Sequence, residues 1–510
     1  MSMARRIIAL ASSALAVGAL ALDGRAREDG VAVARGGARA MRALSAVGVT
    51  IADYKLGTDG AHERGAARAR ACCASNGGLY VKAGQFVSAS AGAVPAAYAR
   101  ELSKLQDEVE AAPRREALEV IRDAFDGASP EELFEEFDEE PMAAASLAQV
   151  HRAVLRGSGA EVAVKVQRPG LERQIESDIA TMRWLVCLTK FFFPEFDFSF
   201  MVSEFQSRLE KEIDFEAEGR NCERLKAAFA DDDRVDAPSV HWDFTTKRVL
   251  TMEFIRGEKL TNIQGMRAKG LDPERAALAL SDCFARMLLV HGFMHGDPHP
   301  GNLLCRAHPD GSGRTQVVLL DHGLYSELAE DTRRAMCDLW IAIAVGDAER
   351  AGSASRTLKV PDEFVWLMPL TLARKTPSGD PVDRKAIAKL FGGAGRPGLG
   401  EASLLGNNLP KEMMIVLRAN ALVRNLIKAL GDSRESSVSA LEIKRQWSNV
   451  RFASLGLVVP RALGASTASS ASLAVKLRWR AHELGISARA SVRAARASFR
   501  ASRRADASLD

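Results

Sequence analysis

The chain has 510 residues, 47% hydrophobic and 26% charged, which supplies a large core, leaves room for about two to four domains and excludes wholesale disorder. A net charge of only +4 forces no nucleic-acid reading. Seven cysteines form no CxxC pair, so a zinc site and a disulfide framework are not indicated.

The first stretch, MSMARRIIALASSALAVGALALDGRARED, carries Arg5 and Arg6, has no acid before Asp23, and is apolar and Ala-rich from Ile7 to Leu22. That run is shorter than the roughly 20 residues a spanning helix needs. It fits an organelle transit segment, a short membrane anchor, or a secretory signal, the last without any disulfide framework downstream to support it. Ala-rich helical sequence with Gly breaks continues to about residue 70, and the adjacent Cys72 and Cys73 read as buried thiols on a helix. SNGGLYVKAGQFVSASAGAVPAAYARELSKLQDEVE predicts two helices joined by a turn at Pro95. PRREALEVIRDAFDG predicts another, closed near Gly127, with Ser129 and Pro130 opening the next turn.

From Phe134 the period changes. LAQVHRAVL and EVAVKVQRPG, separated by GSG, predict a hairpin. Leu171 to Phe193 returns to helical spacing, and FSFMVSEFQSRLEKEIDFEAEGRNCERLKAAFA predicts one long amphipathic helix. SVHWDF and RVLTMEFI predict a second hairpin around TTK. DPERAALALSDCFARMLLVHGF predicts a helix with Asp272 as N-cap and Pro273 at its first position. NLLCRA and QVVLLDHG predict a third hairpin. Beyond Ser326 the chain reads as helical, apart from the break around GGAGRPGLGEASLLGNNLP. The order is α+β and bilobal, a small β-containing lobe followed by a helical lobe, with the crossing at EFIRG. The implied divisions are a targeting or anchor region over 1–60, a helical extension over 61–130, an N-lobe with inserted helices over 131–258, a helical C-lobe over 259–460 and a basic tail over 461–510.

The stretch MHGDPHPGNLLC, followed by VVLLDHGLY, concentrates the chemistry. Asp297 and Asn302 lie five apart in one loop, and Asp321 follows an apolar strand on a turn closed by Gly323. Phosphoryl transfer from ATP needs a carboxylate beside the nucleophile, and an amide oxygen and a second carboxylate on Mg2+. Kinases space these groups as HxD, four residues, N, then DxG. An ordinary Gly/Pro/His-rich turn and a metal hydrolase using His295, Asp297 and His299 are the competing readings. A kinase-like ATP site also needs a strand-borne Lys. Lys165 sits in EVAVKVQ, on the face opposite Val162, Val164 and Val166. Unpaired there, it is costly; as an edge-strand solubility lysine it is ordinary. Glu212, Asp214, Glu216 and Glu218 are its candidate partners. MAAASLAQVHRA stands where a Gly-rich phosphate loop belongs, with Ala143, Ala144 and Ala145 followed by Ser146. Small side chains let a backbone approach phosphates, but Ala resists positive φ. A packed Ala patch is the alternative.

These residues resemble the UbiB-type, or aarF-domain-containing, atypical kinase family of the protein-kinase-like superfamily. The likeness spans roughly Cys72 to Tyr325 and rests on KAGQ, LQDEV, AAASLAQVHRA, VAVKVQRPG, KEIDFEAEGRN, MEF, HGDPHPGNLL and LLDHGL in order. FFFPEFDF, HWDFTTKRVL and LLDHGLY look most like its mitochondrial subgroup. The resemblance implies ATP or ADP and Mg2+ as cofactors. It casts Lys165 as the contact to the α/β-phosphates with Glu218 as its helix partner, Asp297 as the catalytic carboxylate, and Asn302 and Asp321 as metal ligands. Glu253 and Ile255 become the adenine-contacting hinge after Met252. The extension carries the KxGQ motif, Lys82 and Gln85, which in the family meets an ExD pair, here Glu212 and Asp214, over the site where other kinases take peptides. It implies an ATP-dependent enzyme of lipid or isoprenoid-quinone homeostasis at an organellar membrane, mitochondrial or else plastid, rather than a protein kinase. A homodimer or a lipid-biosynthesis complex is the implied assembly, and a catalytically idle, nucleotide-gated scaffold is the alternative function. His322 replaces the Phe of ordinary kinases and cannot make the same apolar anchor, and no APE follows Tyr325.

The C-terminal LAVKLRWRAHELGISARASVRAARASFRASRRAD is strongly basic, with Leu473, Leu477, Trp479, Ile486 and Phe499 interspersed. It reads either as a helix lying on an anionic bilayer or as a solvated tail. RNA binding is the weaker reading, since only Trp479 and Phe499 offer stacking surfaces.

Overall fold

The computed structural model describes residues 30–89, 94–105, 112–194, 197–296, 298–373, 409–430 and 435–458. The apolar run 7–22, most of LQDEV, Asp297, the Gly/Pro/Asn-rich break and the basic tail lie outside the described residues. Among the described residues no helix is long and apolar enough to cross a membrane.

In chain order the helical extension comprises α1 (Gly30–Lys55), α2 (Ala61–Asn76), α3 (Gly78–Ala89), α4 (Ala96–Leu102) and α5 (Arg114–Ala124). The short α6 (Pro130–Leu133) carries a Ser129/Glu132 capping box. Next come β1 (Phe134–Phe137), β2 (Ala143–Ala144), β3 (Ala148–Leu155), β4 (Glu161–Gln167), α7 (Leu171–Phe192), α8 (Ser199–Glu212) and α9 (Phe215–Ala228). After β5 (Val235–Asp236), β6 (Val249–Glu253) and β7 (Glu258–Lys259) follow α10 (Ile263–Ala268) and α11 (Pro273–Arg286). Then come β8 (Phe293–His295), β9 (Leu303–Ala307), β10 (Thr315–Leu319) and β11 (Tyr325–Glu327). The last helices are α12 (Glu330–Val345), α13 (Ala348–Thr357), α14 (Leu367–Ala373), α15 (Lys411–Leu430) and α16 (Glu435–Val458). The described residues form two compact units. One holds residues up to Ala217 with Val240–Phe254; the other holds Glu218–Ser239 and the residues from Ile255 onward.

The first unit contains an antiparallel sheet in the order β1-β3-β4-β6, with β2 beside β3. Strand alternation sends Val162, Val164 and Val166 to one face, where they join Val249 and the Ala117, Val120 and Ile121 stripe of α5. Each of these fully buried valines contributes about 1.5–3 kcal/mol. Ala163 and Lys165 face the other way, towards Phe215, Leu250 and Met252. A second core, Leu79, Leu171, Ile179, Phe205 and Leu209, joins α3 to α7 and α8. The buried Arg39–Asp178 pair, 2.5 Å, ties α1 to α7.

In the second unit the sheet runs β5-β10-β9-β7, and β8 pairs separately with β11. Asp272 caps α11, accepting from the amides of Glu274 and Arg275 as its sequence predicts. The helix runs on through a π-helical turn, Met287–His291. Arg333, fully buried on α12, donates to the carbonyls of Leu289 at 2.6 Å and Gly456 at 2.8 Å, and pairs with Glu330. A Cβ at Gly456 would lie 2.1 Å from the Leu289 carbonyl oxygen, so this close approach of α16 requires glycine.

Two expectations are corrected. The long amphipathic helix is two helices, α8 and α9, broken at Ile213–Asp214. Asp214 Oδ1 accepts from the Ala217 amide at 2.8 Å, capping α9. The Ile213 carbonyl is taken by Gln167 Nε2, and the Phe215 amide by Lys247, so neither can continue the helical ladder. The second hairpin also lacks a first strand. Val240 makes one bridge to Met252, and Trp242–Phe244 winds into a 3-10 turn. The Thr245 and Thr251 hydroxyls take the carbonyls of His241 and Phe244 and draw that segment out of the ladder. The short β8–β11 pair is the one sheet the sequence did not suggest; its three-residue strands carry no readable alternation.

Candidate functional site

In the second unit the β9–β10 register aligns Leu303 with Leu319. One residue beyond, the Leu320 amide donates to the Asn302 carbonyl at 2.9 Å. This leaves Asn302 and Asp321 side by side, with Asn302 Nδ2 3.3 Å from Asp321 Oδ2, both half-buried. Asp321 Oδ1 accepts from the Gly323 amide at 3.0 Å. The hairpin therefore brings together an amide and a carboxylate nineteen residues apart. Both side chains carry hard oxygen donors of the kind Mg2+ selects, so their chemistry fits that ion, which would take the Asn302 amide oxygen in place of the Nδ2 contact. Asp297 lies outside the described residues, and no side-chain position is assigned to it.

The buried His295 donates from Nε2 to the Asp321 carbonyl at 2.8 Å, since a carbonyl can only accept. This anchors the metal-candidate segment to β8. His322 is buried. Its Nε2 donates to the Leu319 carbonyl at 3.0 Å, leaving Nδ1 to accept from the Tyr325 hydroxyl at 3.0 Å. Burial pushes the Tyr325 phenol well up, so it stays protonated and able to donate. In place of an apolar Phe plug, the DHG turn is held by a polar relay closed by the stacked Tyr325 ring. Glu218, on the first turn of α9, is buried, and its Oε1 accepts a long 3.5 Å contact from the His322 amide. Asn221, one turn further on, donates to the His322 carbonyl at 3.0 Å. Gly323 does not use a left-handed φ. A Cβ there would sit in ordinary contact, 3.4–3.6 Å, with the carboxylates of Asp321 and Glu218.

In the first unit Lys165 is half-buried at the centre of β4, between Val150 and Leu250, with Nζ 5.0 Å from the Phe215 ring centre. Ala143 and Ala144 form β2, and the Ala145 amide bonds the Ala148 carbonyl at 2.8 Å. The alanine segment is thus a hairpin whose two-residue turn is Ser146-Leu147, and none of these residues takes positive φ. Its position is fixed from outside. Leu147 is buried in the α3–α7–α8 core against Leu79, and Arg168 donates from its side chain to the Ala145 carbonyl and from its amide to Leu147. Sequence reasoning missed Leu147 and Arg168; the only signal was their place in the quoted ASLAQV and QRPG stretches. Glu253 ends β6, and the chain leaves the first unit after Phe254, so Ile255 opens the next segment of the second.

On α3, Lys82 Nζ lies 3.4 Å from Glu212 Oε2, and Gln85 Nε2 donates to the Leu105 carbonyl at 3.3 Å. Glu212 ends α8 and Asp214 caps α9, so the ExD pair straddles the helix break.

The family model for the ABC1 atypical kinase-like domain matches residues 104–355. AarF domain-containing protein kinase 1 of Gallus gallus is 34% identical over 463 residues, covering 87% of this chain and 88% of the relative. The chain belongs to the ABC1/AarF atypical kinase family. The proteins of the same name in Xenopus laevis and Mus musculus are both 36% identical, over 74% and 75% of this chain and 73% of each relative. The ABC1 kinase-like domain implies nucleotide binding, and it spans Lys165, Glu218, Asn302 and Asp321.

Proposed function

We propose that this ABC1-family chain is an ATP- and Mg2+-dependent atypical kinase or ATPase of an organellar membrane, mitochondrial or else plastid, serving lipid or isoprenoid-quinone homeostasis. The contact between Asn302 and Asp321 carries the reading. It supports the reading because it sets side by side, at kinase spacing, an amide and a carboxylate of the kinds that hold a cation on a triphosphate. A bound Mg2+ supplies charge neutralisation on the phosphates. Asp297 positions the attacking oxygen. Lys165 holds the α/β-phosphates and Glu218 orients it; Ala143, Ala144, Ala145 and Ser146 cover the phosphates, and Glu253 and Ile255 meet the adenine. Lys82, Gln85, Glu212 and Asp214 regulate access in place of a peptide substrate. The organelle assignment draws on Arg5 and Arg6 with no acid before Asp23, and the membrane assignment on the basic tail after Leu473.

The test is ATP hydrolysis by purified full-length protein, wild type against Asp321→Asn. A loss of about a hundredfold or more is expected from removing a metal-held charge at the phosphates. Equal residual activity in both would sink the enzymatic reading and favour the nucleotide-gated scaffold. A fluorescent fusion of residues 1–60 locates the compartment.

A further inference from the structure

The helical part of the first unit forms a half-open cavity of about 440 Å3, lined almost wholly by apolar side chains of α1 to α4, α7 and α8. Folded interiors are close-packed, and voids much larger than a water are few. An apolar cavity of about 150 Å3 stays dry and accepts benzene; this one is roughly three times that size. Its volume and lining are those of a ligand pocket. On α3 the cavity wall includes Tyr80, Ala83, Gly84 and Val87, the i, i+3, i+4, i+7 stripe of one helix face, with Phe86 beside it.

Two polar features mark it further. Tyr80 is 5% exposed and lines the cavity, yet its hydroxyl has no hydrogen-bond partner among the described residues. A buried hydroxyl without a partner is an unfavourable state that a ligand oxygen would relieve. Tyr54 and His62, hydrogen-bonded at 2.6 Å, line the cavity on its exposed side. Two positions from the lining residues Tyr54, Phe193 and Phe198 in the chain stand the strongly exposed Leu56, Phe191 and Phe200. Large exposed apolar side chains flanking the pocket's lining in the chain, with Lys55 and the Asp197-paired Lys190 near them in sequence, suit contact with a lipid surface.

We propose that this cavity binds the hydrocarbon chain of one lipid bearing a single hydrogen-bonding oxygen, taken up from a membrane surface. The proposal does not rest on the nucleotide reading. All the lining residues fall between 46 and 205, and a negative Asp321→Asn result leaves it standing.

The test is equilibrium dialysis of full-length protein against radiolabelled farnesol and 1-tetradecanol. Saturable binding of one molecule per chain is expected for at least one of them. Tighter binding of farnesol assigns a prenyl chain and the reverse an acyl chain; either order supports the proposal. Ala83→Trp on α3 and Val202→Trp on α8 each fill part of the cavity and should each weaken binding at least tenfold, with circular dichroism unchanged. The near-isosteric Tyr80→Phe should abolish the preference for farnesol over the hydrocarbon farnesene. Absence of saturable binding, or unchanged affinity in both folded tryptophan variants, overturns it. Should those variants misfold, an unaltered farnesol preference in Tyr80→Phe overturns it alone.

Discussion

Leu147 is the side chain through which the extension holds the alanine turn, and truncating it should loosen the turn without touching any phosphate-binding candidate. It is 7% exposed and packs in one cluster with Leu79, Leu171, Ile179, Phe205 and Leu209. Leu→Ala in a core costs about 2–5 kcal/mol, scaling with the cavity left behind. Because Leu147 sits on a two-residue turn that can collapse inward, the lower end, about 2–3 kcal/mol, is expected. Leu79, on α3 and fully buried, cannot relax that way, so Leu79→Ala should cost about 3–4 kcal/mol. The two share one cluster, so the double variant should fall short of additivity by about 0.5–2 kcal/mol. Global unfolding of a two-unit chain is not two-state. The direct assay is hydrogen exchange at the Ala145 and Arg168 amides, bonded to the carbonyls of Ala148 and Leu147. Both amides should exchange faster in Leu147→Ala and in Leu79→Ala, and ATP affinity should fall about three- to tenfold. Unchanged exchange in Leu79→Ala would refute the claim that the extension positions the turn.

Lys82→Ala removes a partly exposed pair with Glu212, so stability should change by less than about 1 kcal/mol while nucleotide affinity shifts; unaltered affinity by calorimetry would count against a regulatory contact. His322→Phe, although it restores the residue of ordinary kinases, strands the buried Tyr325 hydroxyl and the Leu319 carbonyl, and should destabilise by roughly 2–4 kcal/mol. Adding Tyr325→Phe should recover part of that loss in thermal melts, and no recovery would argue against the relay. Burial, then the nearby Arg286 charge, lowers the pKa of His291 from 6.5 to about 4. The unfolded chain therefore binds the extra proton first. Stability attributable to this group is intact above pH 6.5 and falls by about 3 kcal/mol as the pH drops to 4. Melts of His291→Met across that window should show a shallower slope, and an identical slope would exclude His291 as the acid-labile group.

Much of this protein was legible in its sequence because the determinants are local. Asp272 and Pro273 mark a helix start by capping chemistry, and alternation in EVAVKVQ separates the valines from Lys165. The Asn302–Asp321 contact follows from the register of a single hairpin, NLLCRA with QVVLLDHG, which the sequence suggested. What the tertiary structure decided rests on groups distant in the chain. The break at Ile213–Asp214 needs Gln167 and Lys247 to claim backbone groups that would otherwise continue a helix. The role of Leu147 appears only when α3 packs on the turn. The cavity beside Tyr80 belongs to no one helix's periodicity, because an amphipathic stripe states only that a face is apolar. Whether that face meets another side chain or encloses open space is settled by how six helices pack, and local sequence does not encode that.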